Sequence, residues 1–313
     1  MITFKQLEAL YWIAQLGGFS QAANKLHTTQ SAVSKRVHDL EALFETELFD
    51  RAQRSARLTE KGEEMFLLAK KLLAQRDAAI EQFSRPEVME RRLRIGITEL
   101  TAMTWLPRLI ALIQQHYPKV TIEPTVDSSP QLRDKVLADE LDLVFVPDAF
   151  ADTRIASTKV GQVEHAWMCK PGLLPTGQSG HPGQRMRLHE IAQYRMLVQG
   201  TQSGTGRVYD AWMKQQGAEP GEVIVVSNLL AMLGLVISGL GVSYLPHRCL
   251  APLVDAGMLT MVDVTPALPP MAYVAMHKGE HRSTLVASIV MLAQDCCDFS
   301  AMFQGLDQTF AKG

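Results

Sequence analysis

The stretch from Thr59 to Ser84 reads as one uninterrupted helix stopped by Pro86, and it constrains the rest of the chain more than any other feature. A helix of roughly 26 residues is ~39 Å long at 1.5 Å per residue, and Thr59 is placed to cap its start. Met65, Ala69, Leu72, Leu73, Ala79, Ile80 and Phe83 form a long apolar stripe along it. The short domain that precedes it is too small to bury such a stripe, so a partner helix is the economical cover; packing on the chain's own C-terminal half is the alternative. The helix also separates two textures. Residues 1–58 are helical with short turns, 59–88 form the linker, and from 92 to 313 apolar runs alternate with amphipathic helices.

In the first segment Leu7, Leu10, Tyr11 and Ala14 recur at helical spacing, and Gly17-Gly18 ends that helix. Ser20 is then placed to cap a second helix, SQAANKL, whose Ala22 and Ala23 permit close helix-helix approach. After His27-Thr28-Thr29 a third helix turns Ala32, Val33, Val37 and Leu40 inward and Gln30, Ser31, Ser34, Lys35 and Arg36 outward. That spacing fits a helix-turn-helix whose second helix enters the major groove, and it fits equally a small helical bundle with a solvated basic face. Charge favours the former. The formal net charge of the chain is -2, so a nucleic-acid surface has to be local. From Ser20 to Arg36 the charged residues are Lys25, Lys35 and Arg36, and the acids come afterwards, at Asp39, Glu41, Glu45, Glu47 and Asp50. Gln suits a bidentate contact to adenine, Lys and Arg reach guanine edges or phosphates, and hydroxyls bond phosphate oxygens. The ELFDRAQRSARLTEKG segment that follows predicts a basic hairpin, a wing, with Arg51 and Arg54 as backbone or minor-groove contacts.

Beyond the linker the strand candidates are Leu93–Thr98, Val120–Val126, Leu141–Val146, Met196–Val198, Val223–Val226 and Val242–Leu245. Helices are expected near 103–116, 130–139, 205–216 and 228–238, which makes this an α/β domain of parallel βαβ units. The Gly- and Pro-rich segment from Pro171 to Arg187 reads as an exposed excursion.

The run from Phe4 to Gly62, with FSQAANKLHTTQSAVSKRVHDLE, the LFDR that follows and LTEKG opening the next helix, resembles the LysR-type transcriptional regulators in order and spacing without a gap. Ser31 departs from a common proline and Lys35 from a common arginine. The resemblance implies a fold of an N-terminal winged helix-turn-helix (1–58), a dimerising linker helix (59–88) and a two-lobed, periplasmic-binding-protein-like effector domain (92–313). Lobe I would span about 92–164 and 270–300, lobe II about 165–268. It implies further a dimer of dimers on promoter DNA containing an interrupted palindrome, a small-molecule effector, RNA polymerase as a partner, and control of the protein's own gene. For the DNA contacts, Gln30, Ser34 and Lys35 are assigned to base edges, and Thr28, Thr29, Ser31, Arg36, Arg51 and Arg54 to phosphates or the minor groove.

Open α/β sheets bind ligands outside the carboxyl ends of their strands. Hydroxyls, amides and glycines collect at five such ends: Thr98 to Thr101, Asp127 to Ser129, Pro147, Gln199 to Ser203, and Ser227-Asn228. Thr98, Thr101, Ser129, Gln199, Thr201 and Ser227 are the preferred effector contacts. Glu99 and Asp127 sit at the same rim, and an inward carboxylate there would disfavour a simple anion and favour an amine.

Other classes fare worse. GTQSGTGR at 200–207 lacks the Lys-Ser/Thr ending of a P-loop and the spacing of a dinucleotide fingerprint, and the chain has no G-x-S-x-G. His277 and His281 have the i, i+4 spacing but frame no metalloprotease motif, and the four cysteines show no C-x-x-C, so neither catalytic nor metal residues nor a cofactor are expected. An exported solute-binding protein would leave the first 85 residues without a purpose. The N-terminal stretch lacks the continuous apolar middle of an export signal, no run reaches a membrane span, and the expectation is a cytoplasmic protein.

Overall fold

Thr3 starts the first helix with a reciprocal cap: its hydroxyl accepts from the Gln6 N–H at 3.3 Å and the Gln6 Oε1 accepts from the Thr3 N–H at 2.8 Å. This helix, α1 (Phe4–Leu16), opens a computed structural model that describes residues 1–50, 56–83, 90–174, 185–279 and 283–304. The chain forms two units, Met1–Ser84 and Arg85–Gly313.

In the first unit α1 ends at Gly17, whose φ of 75° suits a residue without a Cβ. Then come α2 (Phe19–Lys25), α3 (Gln30–Phe44) and α4 (Glu60–Phe83). Leu7, Leu10, Ile13, Val33, Val37 and Leu40 make the core, and the buried Ala22 and Ala23 let α2 lie close to its neighbours. Ser20 does not cap α2. The cap position is two residues earlier, at Gly18, with no side-chain cap, because Ser20 sits inside the first turn and donates its hydroxyl elsewhere, to Gln30. Thr59 does start α4: its Oγ1 accepts from the Gly62 N–H at 3.0 Å and donates to the Glu47 carbonyl at 2.8 Å. A Cβ on Gly62 would stand 2.0 Å from the Leu48 carbonyl oxygen, so only glycine lets α4 approach the preceding turn this closely.

The apolar stripe of α4 divides in two. Met65, Ala69, Leu72 and Leu73 pack into this unit's own core, with Phe66 stacked on Tyr11 at 5.5 Å and Arg76 paired to Glu8 at 2.6 Å. The expectation that the whole stripe lacks a local partner is therefore corrected for its first half, which lies against α1. Ala79 and Ile80 remain exposed, as do Leu67 and Leu68, while the Phe83 side chain lies outside the described residues.

The second unit runs β1 (Arg91–Ile97), α5 (Glu99–Met103), α6 (Leu106–His116), β2 (Val120–Val126), α7 (Ser129–Leu137), β3 (Leu143–Pro147), β4 (Ile155–Val163) and β5 (His165–Cys169). It continues with β6 (Met186–Arg187), α8 (Leu188–Ile191), β7 (Met196–Val198), α9 (Gly204–Gln215), β8 (Val223–Val225), α10 (Leu229–Ile237) and β9 (Ser243–Pro246). It closes with α11 (Ala251–Asp255), β10 (Thr260–Val262), β11 (Val264–Thr265), β12 (Met271–Lys278) and α12 (Thr284–Cys296). One lobe is built on the sheet β2-β1-β3-β12-β4, in which β1 pairs parallel with β2 and β3 while β12 runs antiparallel to β3 and β4. The other holds β10-β5-β9 and the parallel pair β7-β8, joined by a bridge between Met196 and Val242. The chain crosses between lobes at Glu164, between β4 and β5, and returns between β11 and β12.

Three features depart from the sequence reading. The sheet of the first lobe is mixed rather than purely parallel, since β4 and β12 have no helix between them and a neighbouring strand to mark a βαβ unit. The helix expected over 103–116 is two, broken at Thr104, whose ψ of -92° leaves the helical region and whose hydroxyl bonds the Leu100 carbonyl at 2.7 Å. The excursion from Pro171 to Arg187 is tied in at its ends, by the buried Leu174 and by β6 pairing with β11; residues 175–184 lie outside the described residues.

Candidate nucleic-acid interface and ligand cleft

The polar end of α3 is shaped by its cap. Thr29 accepts from the Ala32 N–H at 3.2 Å and shares a hydrogen bond with the Ser31 hydroxyl at 3.0 Å. His27, at φ 48°, takes the left-handed position in the turn between α2 and α3 that glycine commonly fills in such motifs. Gln30, Ser31, Ser34 and Lys35 are exposed, and Thr28 and Arg36 are half-buried. Ser20 donates to the Gln30 Oε1 at 2.9 Å, which orients the amide. Opposite, Val33, Val37 and Leu40 are buried, so helix rotation is fixed by packing.

The basic balance of this face differs from the sequence tally. The Lys25 ammonium stands 4.8 Å from the Trp12 ring centroid. Glu41 is not a surface acid: it is 9% exposed and its Oε1 accepts the Leu48 N–H at 2.9 Å and the Phe49 N–H at 3.4 Å. It thus anchors the first strand of the hairpin, whose base is formed by the antiparallel bridge Phe49–Leu58 and by the Asp50 N–H on the Arg57 carbonyl at 2.8 Å. Arg51 and Arg54, the expected wing contacts, lie outside the described residues.

In the second unit a cavity of about 380 Å³ lies at the carboxyl ends of β1, β2, β3, β7 and β8 and draws its lining from both lobes. Four of the six expected contacts, Thr98, Ser129, Gln199 and Ser227, line it. Thr101 does not. It is fully buried one turn into α5, with its hydroxyl 3.4 Å from that of Thr98. Thr201 does not either; the left-handed turn at Gly200, φ 62°, leaves it exposed, and Gln202, Ser203 and Thr205 line the cavity in its place. Ser129 accepts from the Gly204 N–H at 3.4 Å, a link from one lobe to the other, and the Gln199 Oε1 accepts from Ser203 at 2.8 Å.

Both rim carboxylates are already engaged. Asp127 pairs with Lys135 at 2.8 Å and accepts the Ser128 N–H at 2.8 Å. Glu99 reaches across to the other lobe, where its Oε2 accepts the Leu229 N–H at 2.6 Å and its Oε1 accepts from the Asn228 side-chain amide. His165, Tyr244 and Tyr273 also line the cavity and had no sequence signature, being strand residues whose inward direction only the register decides. Burial depresses His165 to about 3, so the ring is neutral, and it packs edge-on to Tyr209 at 5.2 Å. Burial pushes Tyr244 up to about 12 and raises Tyr273, keeping both phenols protonated.

The described residues hold no cluster of His, Cys, Asp or Glu arranged for a metal, and none of their helices is long and apolar enough to cross a membrane. Burial raises Cys169 and pushes Cys249 up to about 11 and Cys296 and Cys297 up to about 12, so these thiols are poor nucleophiles at neutral pH.

Known proteins match both units. Residues 4–63 match the bacterial regulatory helix-turn-helix protein model of the lysR family, and residues 86–297 match the LysR substrate binding domain. The HTH-type transcriptional regulator MetR of Escherichia coli K12 is 26% identical over 306 residues, covering 95% of this chain and 92% of its own. Among solved structures, full-length OxyR from Pseudomonas aeruginosa superposes with a TM-score of 0.66 at 19% identity, over 99% of each chain. Full-length LysG from Corynebacterium glutamicum with bound effector Arg gives 0.57 at 20% identity, over 94% of this chain and 98% of that one.

Proposed function

The chain belongs to the LysR family of DNA-binding transcriptional regulators with an effector-binding domain, and from that premise we propose how its residues divide the work. Gln30, Ser34 and Lys35 read base edges in the major groove. Thr28, Thr29, Ser31 and Arg36, with Arg51 and Arg54 of the wing, set the head on phosphates and in the minor groove. The observation that carries this is the α3 surface, where a capped amino end presents Gln30, Ser31, Ser34 and Lys35 on a helix whose rotation is fixed from behind by Val33, Val37 and Leu40.

A small polar effector occupies the cavity lined by Thr98, Ser129, Gln199 and Ser227, with Thr101 supporting Thr98 from beneath. Ligand binding there biases one arrangement of the lobes, and by linkage changes affinity for DNA. The arginine held by LysG supports an effector bearing an amine. The exposed Ile80, from the uncovered half of the α4 stripe, and the exposed Leu67 and Leu68 on the same helix support pairing with a second copy. The working form is a cytoplasmic dimer of dimers on an interrupted palindrome, in contact with RNA polymerase, regulating transcription without catalysing a reaction.

The test is a gel shift of the full chain on the DNA upstream of its own gene, with amino acids and organic acids added in turn after a thermal-shift screen. Retarded DNA that responds to an amine-bearing metabolite supports the reading. Binding that no cavity substitution such as Ser129→Ala alters removes the cleft from it.

A further inference from the structure

Among the described residues, Glu99 is the lining side chain that makes charged hydrogen bonds across the cavity. It is the first residue of α5, in the lobe of β1, and its partners are the N-cap residue and the first helical N–H of α10, in the lobe of β7. The Asn228 side chain serves both sides: its Oδ1 accepts the Ala231 N–H at 2.7 Å as a helix cap, and its amide faces Glu99. The amino end of a helix of this length carries free N–H groups and a partial positive charge, which suits a carboxylate. Here a carboxylate is already on it, supplied by the chain itself.

The remaining lining offers a second anion hydroxyls and amides but no cationic side chain. Among the described lining residues there is neither lysine nor arginine, and Asp127, the other charged one, is an acid that already holds Lys135 at 2.8 Å. His165 also lines the cavity, and its buried, neutral ring brings no charge.

We infer that Glu99 determines specificity: its carboxylate fills the anion position at the amino end of α10, holds the two lobes together there, and bars a ligand carboxylate from that end of the cavity. The inference rests on the reading of this cavity as the effector site. A free carboxylate would have to displace a tethered one, whose local concentration is in the mM range or above, and would then face the displaced charge. Selection therefore acts by occupancy, and the effector enters with an uncharged or cationic group toward Glu99.

Removing the tether exposes the position. In the full chain, Glu99→Ala should melt lower than the parent, and sodium acetate should raise its melting temperature by ~2–4 °C more than sodium chloride at equal ionic strength. The parent should respond to the two salts alike. Glu99→Gln, which keeps the side chain's volume and blocks entry, should show no acetate response; it also serves where the alanine variant does not fold, since the inference is overturned if this variant is as stable as the parent. It is overturned equally if Glu99→Ala responds to acetate as the parent does. An acetate-rescued variant whose DNA affinity no cavity ligand changes would leave the anion position standing and refute the effector reading instead.

Discussion

Replacing Glu41 with alanine should loosen the DNA-binding head from the hairpin side. The carboxylate is buried and accepts two backbone N–H groups, those of Leu48 at 2.9 Å and Phe49 at 3.4 Å, whose residues are 2% and 5% exposed. A hydrogen bond to a charged group contributes about 1.5–3 kcal/mol, and a buried donor left without an acceptor costs on the same scale. Counting the short bond fully and the long one at about half gives a loss of ~2–4 kcal/mol. Glutamine keeps one acceptor oxygen and should cost about half as much. Hydrogen exchange read by mass spectrometry localises the effect, since each 1.4 kcal/mol is tenfold: protection within residues 1–83 should fall roughly 30- to 700-fold while peptides from the second unit are unchanged. A fall of less than about threefold for Glu41→Ala would refute the assignment of Glu41 as the hairpin's anchor.

Four further outcomes follow from the sites. Gln30→Ala should cost ~1–3 kcal/mol on the preferred sequence and relax discrimination at one base pair, read by competition binding; equal loss on all sequences would move Gln30 to the backbone. Arg36→Ala should weaken binding on all sequences and flatten its salt dependence, and an unchanged slope would remove Arg36 from the phosphate backbone. Ile80→Asp should shift the oligomer toward smaller species in sedimentation, and an unaltered distribution would mean that this end of α4 is not an interface. Burial holds the His165 pKa at about 3, below its ordinary 6.5, so the neutral ring's contribution is full above pH 6.5 and is lost as pH falls toward 3. His165→Gln should then flatten the acid limb of the stability curve across that window, and an identical limb would contradict the assignment.

The head was legible because its signals are local. Small residues at 22 and 23 and the alternation of Val33 and Val37 with Ser34 and Lys35 each act within a turn or two, and the structure places them as read. Ser20 shows the limit: a hydroxyl near a helix start suggests a cap, yet a side chain ten residues away provides its partner. In the sensor, strand ends marked the cavity, since backbone groups freed there need polar neighbours. Which polar residue faces inward was not legible: Thr101 and Thr98 differ by one helical turn, and Thr201 by one left-handed glycine. The strands β4 and β12 hid for a related reason, because antiparallel pairing between segments more than a hundred residues apart leaves no periodic trace between them. The link from Glu99 to Leu229, 130 residues away, is of the same kind.

The most direct test of the account measures fluorescence anisotropy of the full chain on a labelled duplex from upstream of its gene and on a scrambled duplex of equal length, over a series of salt concentrations. A head that reads sequence through the exposed face of α3 predicts a preference of about 1000-fold or more for the upstream duplex, with affinity falling as salt rises. Equal affinity for the two duplexes, or binding indifferent to salt, would contradict it.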